Sequence, residues 1–128
     1  MPKELGDLLA RYRRFKPKLV VLFGSRARGD YTDSSDYDIL VVSDDLPRDP
    51  REAFDLLYDL DYPDVSPIGM NTASFLRKLE EGSTFILEIL EDGKVLLADE
   101  DFLREVMTKF KEIRGRFKRE GKTWILVR

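Results

Sequence analysis

Cysteine is absent from this 128-residue chain, so disulfides and thiolate metal sites are excluded. Histidine is absent as well, which removes the commonest general base and the commonest nitrogen ligand of zinc. Any metal must then be held by oxygen, which points to Mg²⁺ or Mn²⁺. There is no glutamine, and Asn71 is the lone asparagine. Depletion of thermolabile residues beside abundant Lys, Arg and Glu is the composition expected of a thermophile protein. No apolar run reaches membrane-spanning length, and Met1-Pro2-Lys3-Glu4 is not the start of a signal peptide. A cytoplasmic location without membrane contact is therefore the expectation.

The length suits a single domain over residues 1–128, large enough to bury a core without staples. Apolar residues make up 42% and charged residues 37%, so the surface must be densely charged. The net charge of −3 conceals two opposed blocks. Residues 30–64 hold 12 Asp/Glu against 2 Lys/Arg, which suits divalent cations. Residues 104–128 hold 9 Lys/Arg against 3 Glu, which suits phosphates, an acidic partner or nucleic acid, or forms a solvated helix face.

Leu5, Leu8, Leu9, Tyr12 and Phe15 recur at helical spacing, and Pro17 ends that helix. Strands are expected at 18–23 and 36–43, and a third at 65–70 whose Pro67 suits a sheet edge. Helices are expected over 51–60, 72–81 and 83–91, the second capped by Asn71 or Thr72. A strand at 94–98 follows the Asp92-Gly93 turn, then a long amphipathic helix over 100–120 and a strand at 123–127. The apolar tail Trp124 to Val127 suits core or edge-strand packing. Strands interleaved with helices imply a small α/β or α+β sheet domain.

Chemistry concentrates in Gly24-Ser25, ten residues, then Asp36-x-Asp38. Glycine lets backbone approach a phosphate closely, and the serine hydroxyl with nearby N–H groups can donate to phosphate oxygens. Asp36 and Asp38, at i and i+2 on a strand, leave the same face, while Ile39 and Val41 take the other. Two adjacent carboxylates repel, and burying them without a cation raises a pKa and costs stability. A pair of Mg²⁺ ions relieves that repulsion and brings phosphoryl-transfer chemistry. Four fixed residues would match by chance in such a chain at a rate on the order of one in a thousand. A P-loop is excluded, because GSRARGD lacks the Gly-Lys-Ser/Thr ending.

The stretch GSRARGDYTDSSDYDILVV, residues 24–42, resembles the signature of minimal nucleotidyltransferases of the DNA polymerase β-like superfamily. The resemblance implies a small mixed sheet flanked by helices, and transfer of a nucleoside monophosphate from an NTP, with ATP favoured, to an acceptor hydroxyl. It implies two metal ions on Asp36 and Asp38 and a third carboxylate on a neighbouring strand that ligates a metal and helps activate the acceptor hydroxyl. Asp64 is the candidate for that place and Asp61 its alternative. Gly24, Ser25 and Arg26 are the expected nucleotide and phosphate contacts, with Arg28 second to Arg26, since guanidinium pairs with phosphate. Such proteins are often encoded beside a small helical HEPN protein, as its antitoxin, and some modify a tyrosine of that partner with AMP. The other expectation is therefore a binding module that masks a HEPN-type partner. A template-directed polymerase is not expected, since no second domain is available to hold a duplex.

Overall fold

The computed structural model describes residues 3–127. Helix α1 (Lys3–Tyr12) buries Leu5, Leu8, Leu9 and Tyr12 together, as their spacing requires. It stops short of the expected residue 15. Arg13–Phe15 tightens into a 3₁₀ turn and Lys16 takes a left-handed φ of 50° just before Pro17. Strand β1 (Leu19–Phe23), the one-turn helix α2 (Ser25–Arg28) and strand β2 (Tyr37–Ser43) follow. Then come α3 (Pro50–Leu57), β3 (Val65–Asn71), α4 (Thr72–Glu80), α5 (Thr84–Asp92), β4 (Lys94–Ala98) and α6 (Glu100–Arg114).

Three of these helices start on side-chain caps. Asp49 accepts from Arg51 N at 2.8 Å with Pro50 at the first helical position, Asn71 accepts from Ala73 N at 3.0 Å, and Asp99 from Phe102 N at 2.9 Å. Each cap satisfies a helix donor that has no partner of its own, which is why these sequences break where they do.

One expectation fails at the C-terminal end. The helix predicted over 100–120 ends at Arg114, with Gly115 at its C-cap. Phe117–Glu120 (β5) instead pairs antiparallel with Thr123–Leu126 (β6), and Gly121 turns the hairpin at φ 62°. The alternation half-buried/exposed along Phe117-Lys118-Arg119-Glu120 is a strand's period of two, not a helix's.

The four-stranded sheet runs β3-β2-β1-β4, with β2 and β3 parallel and the other neighbours antiparallel. It is thus a mixed sheet, and Pro67 lies on its edge strand, opposite Ile39. Both faces are covered. One carries Val20, Leu22, Ile39 and Val41 against α1, α2 and α3; the other carries Leu19, Val21, Phe23, Leu40 and Val42 against α4, α5 and α6. Burial on both sides explains why β1 and β2 read as continuous apolar runs. Each fully buried Val, Leu or Ile here contributes about 1.5–3 kcal/mol. The polar start of β2 is the exception in this core, and the chemistry gathers there.

Candidate active site

Strand β1 delivers the chain to Gly24 at one end of the sheet. Its last residue, Phe23, lies opposite Asp38 in the antiparallel register, and Asp38 lies opposite Ser66 on the parallel side. Asp38 shares its face with Leu40 and Val42, so it points toward the α4–α6 side. Asp36, exposed just ahead of β2, follows the same alternation.

Gly24 adopts φ 73° and ψ −157°, a region that only glycine occupies readily. A Cβ there would fall 2.3 Å from Asp38 Oδ2. The turn therefore passes directly against the carboxylate, and glycine is required twice over, by dihedral and by space. Helix α2 begins at once: Ala27 N and Arg28 N both bond Gly24 O at 3.1 Å. The N–H groups of Ser25 and Arg26, one step earlier, have no intrahelical acceptor and are free for an anion.

Burial pushes the Asp38 carboxyl above its ordinary range, the charge of Asp36 raises it further, and Arg28 opposes both. A cation bound between the two carboxylates would relieve that electrostatic tension. The donor set is all oxygen and hard, and it fits Mg²⁺ or Mn²⁺. Among the described residues no group of three carboxylates stands within common reach of a metal.

The two candidates for a third carboxylate part company. Asp61 accepts from Arg11 at 2.9 Å, and Arg11 also holds Asp59 at 2.7 Å. The Arg11 guanidinium faces the Tyr62 ring at 5.1 Å, and Tyr62 packs with the α1–α3 core, so Asp61 stands away from Asp36 and Asp38. Asp64 sits immediately before β3, and its carbonyl accepts from Tyr37 N at 2.9 Å. That bond places it beside the start of β2, two residues ahead of the Asp38–Ser66 pair.

Arg26 is not where it was expected. Its Nε and Nη2 donate to Ser35 O at 3.3 and 3.1 Å, and its guanidinium lies between the rings of Tyr31 and Tyr37 at 4.3 and 4.5 Å. Tyr37 packs with the α1–α3 core, on the face away from Asp38. Arg26 thus pins the loop that carries Asp36, a structural use of the guanidinium fork. Arg28 takes the cationic place instead: it pairs with Asp30 at 3.3 Å and is the positive charge felt by Asp38.

Beside Gly24 opens a cleft of about 200 Å³, lined by Phe23, Arg28, Phe85, Glu88, Asp92 and Lys122 among others. Phe85, 44% exposed, meets Phe23 edge-to-face with ring centres 5.8 Å apart. Phe85, Glu88, Asp92 and Lys122 carried no sequence signal, since they come from α5 and a distant hairpin and share no motif spacing with Gly24. The basic block at 104–128 is largely spent within the chain. Arg104, Lys109, Arg114, Arg116, Lys118 and Arg119 each pair with a carboxylate of the chain at 3.5 Å or less.

Comparison with known proteins agrees with this arrangement. The family model described as polymerase beta, nucleotidyltransferase matches residues 3–102. A protein of Methanocaldococcus jannaschii named protein adenylyltransferase is 34% identical over 99 residues, covering 73% of this chain and 92% of that protein. A second one of the same name and organism is 28% identical over 104 residues, 77% of this chain and 71% of that protein. Among solved structures, a toxin–antitoxin crystallised with AMP-PNP superposes with a TM-score of 0.58 at 22% identity, covering 85% of this chain and 86% of that one. A mutant of the toxin–antitoxin MntA–HpeT superposes with a TM-score of 0.59 at 20% identity, covering 86% of each chain. These two similarities establish the shared fold.

Proposed function

This chain belongs to the polymerase beta nucleotidyltransferase family, and we propose that it moves AMP from ATP onto a hydroxyl of a protein acceptor, with release of pyrophosphate. The observation that carries this most directly is Gly24 packed on Asp38, with Asp36 on the same sheet face, beside an open cleft. The relatives named as protein adenylyltransferases support both AMP as the group moved and protein as the acceptor class.

Asp36 and Asp38 would hold divalent metal, with Mg²⁺ favoured and a two-ion arrangement typical of such carboxylate pairs. When bound, the metal supplies a lowered pKa for the attacking hydroxyl and neutralises charge on the departing pyrophosphate. The N–H groups at Ser25 and the Ser25 hydroxyl bind phosphate oxygens, and Gly24 lets that phosphate come close to the backbone. Arg28 lines the cleft, its charge acts on Asp38, and it offers a guanidinium to the triphosphate. Phe85 presents an exposed ring at the cleft for an adenine to stack on. Asp64 accepts the acceptor hydroxyl's proton. The acceptor oxygen then forms a bond to the α-phosphorus. The bond from that phosphorus to the bridging oxygen of the β-phosphate breaks, and pyrophosphate leaves with the electron pair. Positioning and charge, rather than a nucleophile of the chain, account for the rate.

The fold neighbours solved as toxin–antitoxin structures support a companion role, in which this chain neutralises a toxin; the acceptor we propose is a tyrosine of a HEPN-type partner. Among the described residues no helix is long and apolar enough to cross a membrane, and a cytoplasmic site of action fits both ATP use and such a partner. The test is incubation with labelled ATP, Mg²⁺ and a co-encoded HEPN protein. Label on the partner, lost in Asp36→Asn/Asp38→Asn, supports the enzyme. Inhibition of the partner that survives that double substitution without label would replace it with masking.

A further inference from the structure

We infer that the hairpin β5–β6 is a wall of the nucleotide cleft and that Lys122, at its turn, is a positioning residue for the β- and γ-phosphates of the bound NTP. The inference rests on the nucleotidyltransferase reading of the site. It concerns a part of the chain that lies beyond residues 3–102, the stretch matching the family.

The hairpin is fixed against α5 by a dense set of contacts. Arg119 Nη1 and Nη2 grip Asp92 Oδ1 and Oδ2, each at 2.8 Å, and Nη1 also reaches Glu91 at 2.9 Å. This is the bidentate fork that gives a guanidinium–carboxylate pair its fixed geometry. Trp124 packs against the guanidinium groups of Arg114 and Arg119, at 4.6 and 5.1 Å, and meets Phe117 edge-to-face at 6.1 Å. Arg114 in turn bonds Glu91 at 2.8 Å and Phe117 O at 2.9 Å. With both strands held in this way, the Gly121-Lys122 turn is set at the rim of the cleft that Gly24 and Arg28 also line.

The charges around that cleft each have a partner within the chain, with one exception. Asp92 and Glu88 both face it, but Arg119 pairs with them at 2.8 and 3.4 Å. Arg28 is shared with Asp30 at 3.3 Å. Lys122 has no carboxylate within ion-pair distance among the described residues. An ammonium on a flexible stem, free of partners and beside a phosphate-binding turn, suits the far end of a triphosphate. It acts there as a point charge that needs no fixed geometry. AMP lacks those phosphates and so gains nothing from Lys122. The hairpin would then let the protein prefer a nucleoside triphosphate over a monophosphate, a preference set by a part of the chain outside the GS…DxD turn.

The experiment titrates ATP with Mg²⁺, and AMP by competition, into wild type, Lys122→Met, Lys122→Arg and Asp36→Asn/Asp38→Asn. Lys122 is exposed on a turn, so both of its variants should melt as wild type does. The expected result is an ATP affinity about tenfold weaker in Lys122→Met, unchanged AMP affinity, and recovery in Lys122→Arg. If Lys122→Met binds ATP as wild type does, or loses ATP and AMP equally, the inference is overturned, while a loss of metal-dependent binding in the Asp double variant still upholds the site itself. If wild type binds no ATP with metal, the nucleotidyltransferase reading fails, and this inference fails with it.

Discussion

Replacing Gly24 by alanine isolates the contact on which the site is built. Two costs arise at once. The backbone sits at φ 73°, ψ −157°, where a residue with a Cβ pays about 1–3 kcal/mol. The new Cβ would also fall 2.3 Å from Asp38 Oδ2, well inside contact distance, so the carboxylate must move by about 1 Å to reach an ordinary separation of ~3.4 Å. The first cost lowers stability, and the second displaces the carboxylate oxygen proposed to bind metal. Gly29→Ala separates them. Gly29 also has positive φ, 92°, but a Cβ there meets nothing within 4 Å. Both variants should therefore melt below wild type, by roughly 4 °C per kcal/mol lost. Only Gly24→Ala should also lose metal-dependent ATP binding, by tenfold or more, as a misplacement near 1 Å at a reacting centre implies. Calorimetric titration and thermal melts on the three proteins check this. Equal ATP affinity in Gly24→Ala and Gly29→Ala would refute the idea that the glycine exists to seat Asp38.

Asp38 carries a folded-state pKa raised by burial and by Asp36. Such a group stabilises the fold below its unfolded pKa, and that contribution is lost as pH rises through the raised value. Without metal at neutral pH, Asp38→Asn should therefore melt a few degrees higher than wild type, a difference that vanishes in acid, and Mg²⁺ should stabilise wild type alone; melts across pH with and without Mg²⁺ test this. Metal binding should tighten as pH rises through the Asp38 pKa, because protons compete for the same oxygen. Asp61→Asn should leave transfer activity intact and cost at most about 1 kcal/mol, since its pair with Arg11 is exposed; Asp64→Asn should cut kcat by two or more orders of magnitude if it takes the acceptor's proton. Steady-state rates of the two variants decide between them. Trp124→Ala should lower the melting temperature by removing the ring that packs against Arg114 and Arg119, and it should weaken ATP more than AMP if the hairpin is a cleft wall.

The GS…DxD turn was legible because its physics is local. A glycine that must admit a carboxylate, and aspartates whose alternation sends both to one face, leave a pattern in 15 residues of sequence, and the strands around them are apolar enough to declare themselves. The same locality explains the cap at Asn71 and the edge position of Pro67. What escaped depended on tertiary contact. The charge density of 104–120 reads as a helix, yet Gly115 and the two-residue period at Phe117 and Arg119 turn it into a hairpin that contacts with α5 and the end of α6 hold in place. Arg26 and Arg28 are indistinguishable on a page, one residue apart. One faces two tyrosine rings and the other faces the carboxylates, a difference set by the half-turn between them on α2. Phe85 and Lys122 reach the cleft from elements that no motif ties to Gly24.

The most direct test of metal-dependent nucleotidyl transfer at Asp36 and Asp38 is titration of ATP into wild type with and without Mg²⁺, repeated on Asp36→Asn/Asp38→Asn. Binding by wild type only in the presence of Mg²⁺, absent from the double variant, is the expected result. ATP binding that needs no metal, or that persists undiminished when both aspartates are gone, would contradict it.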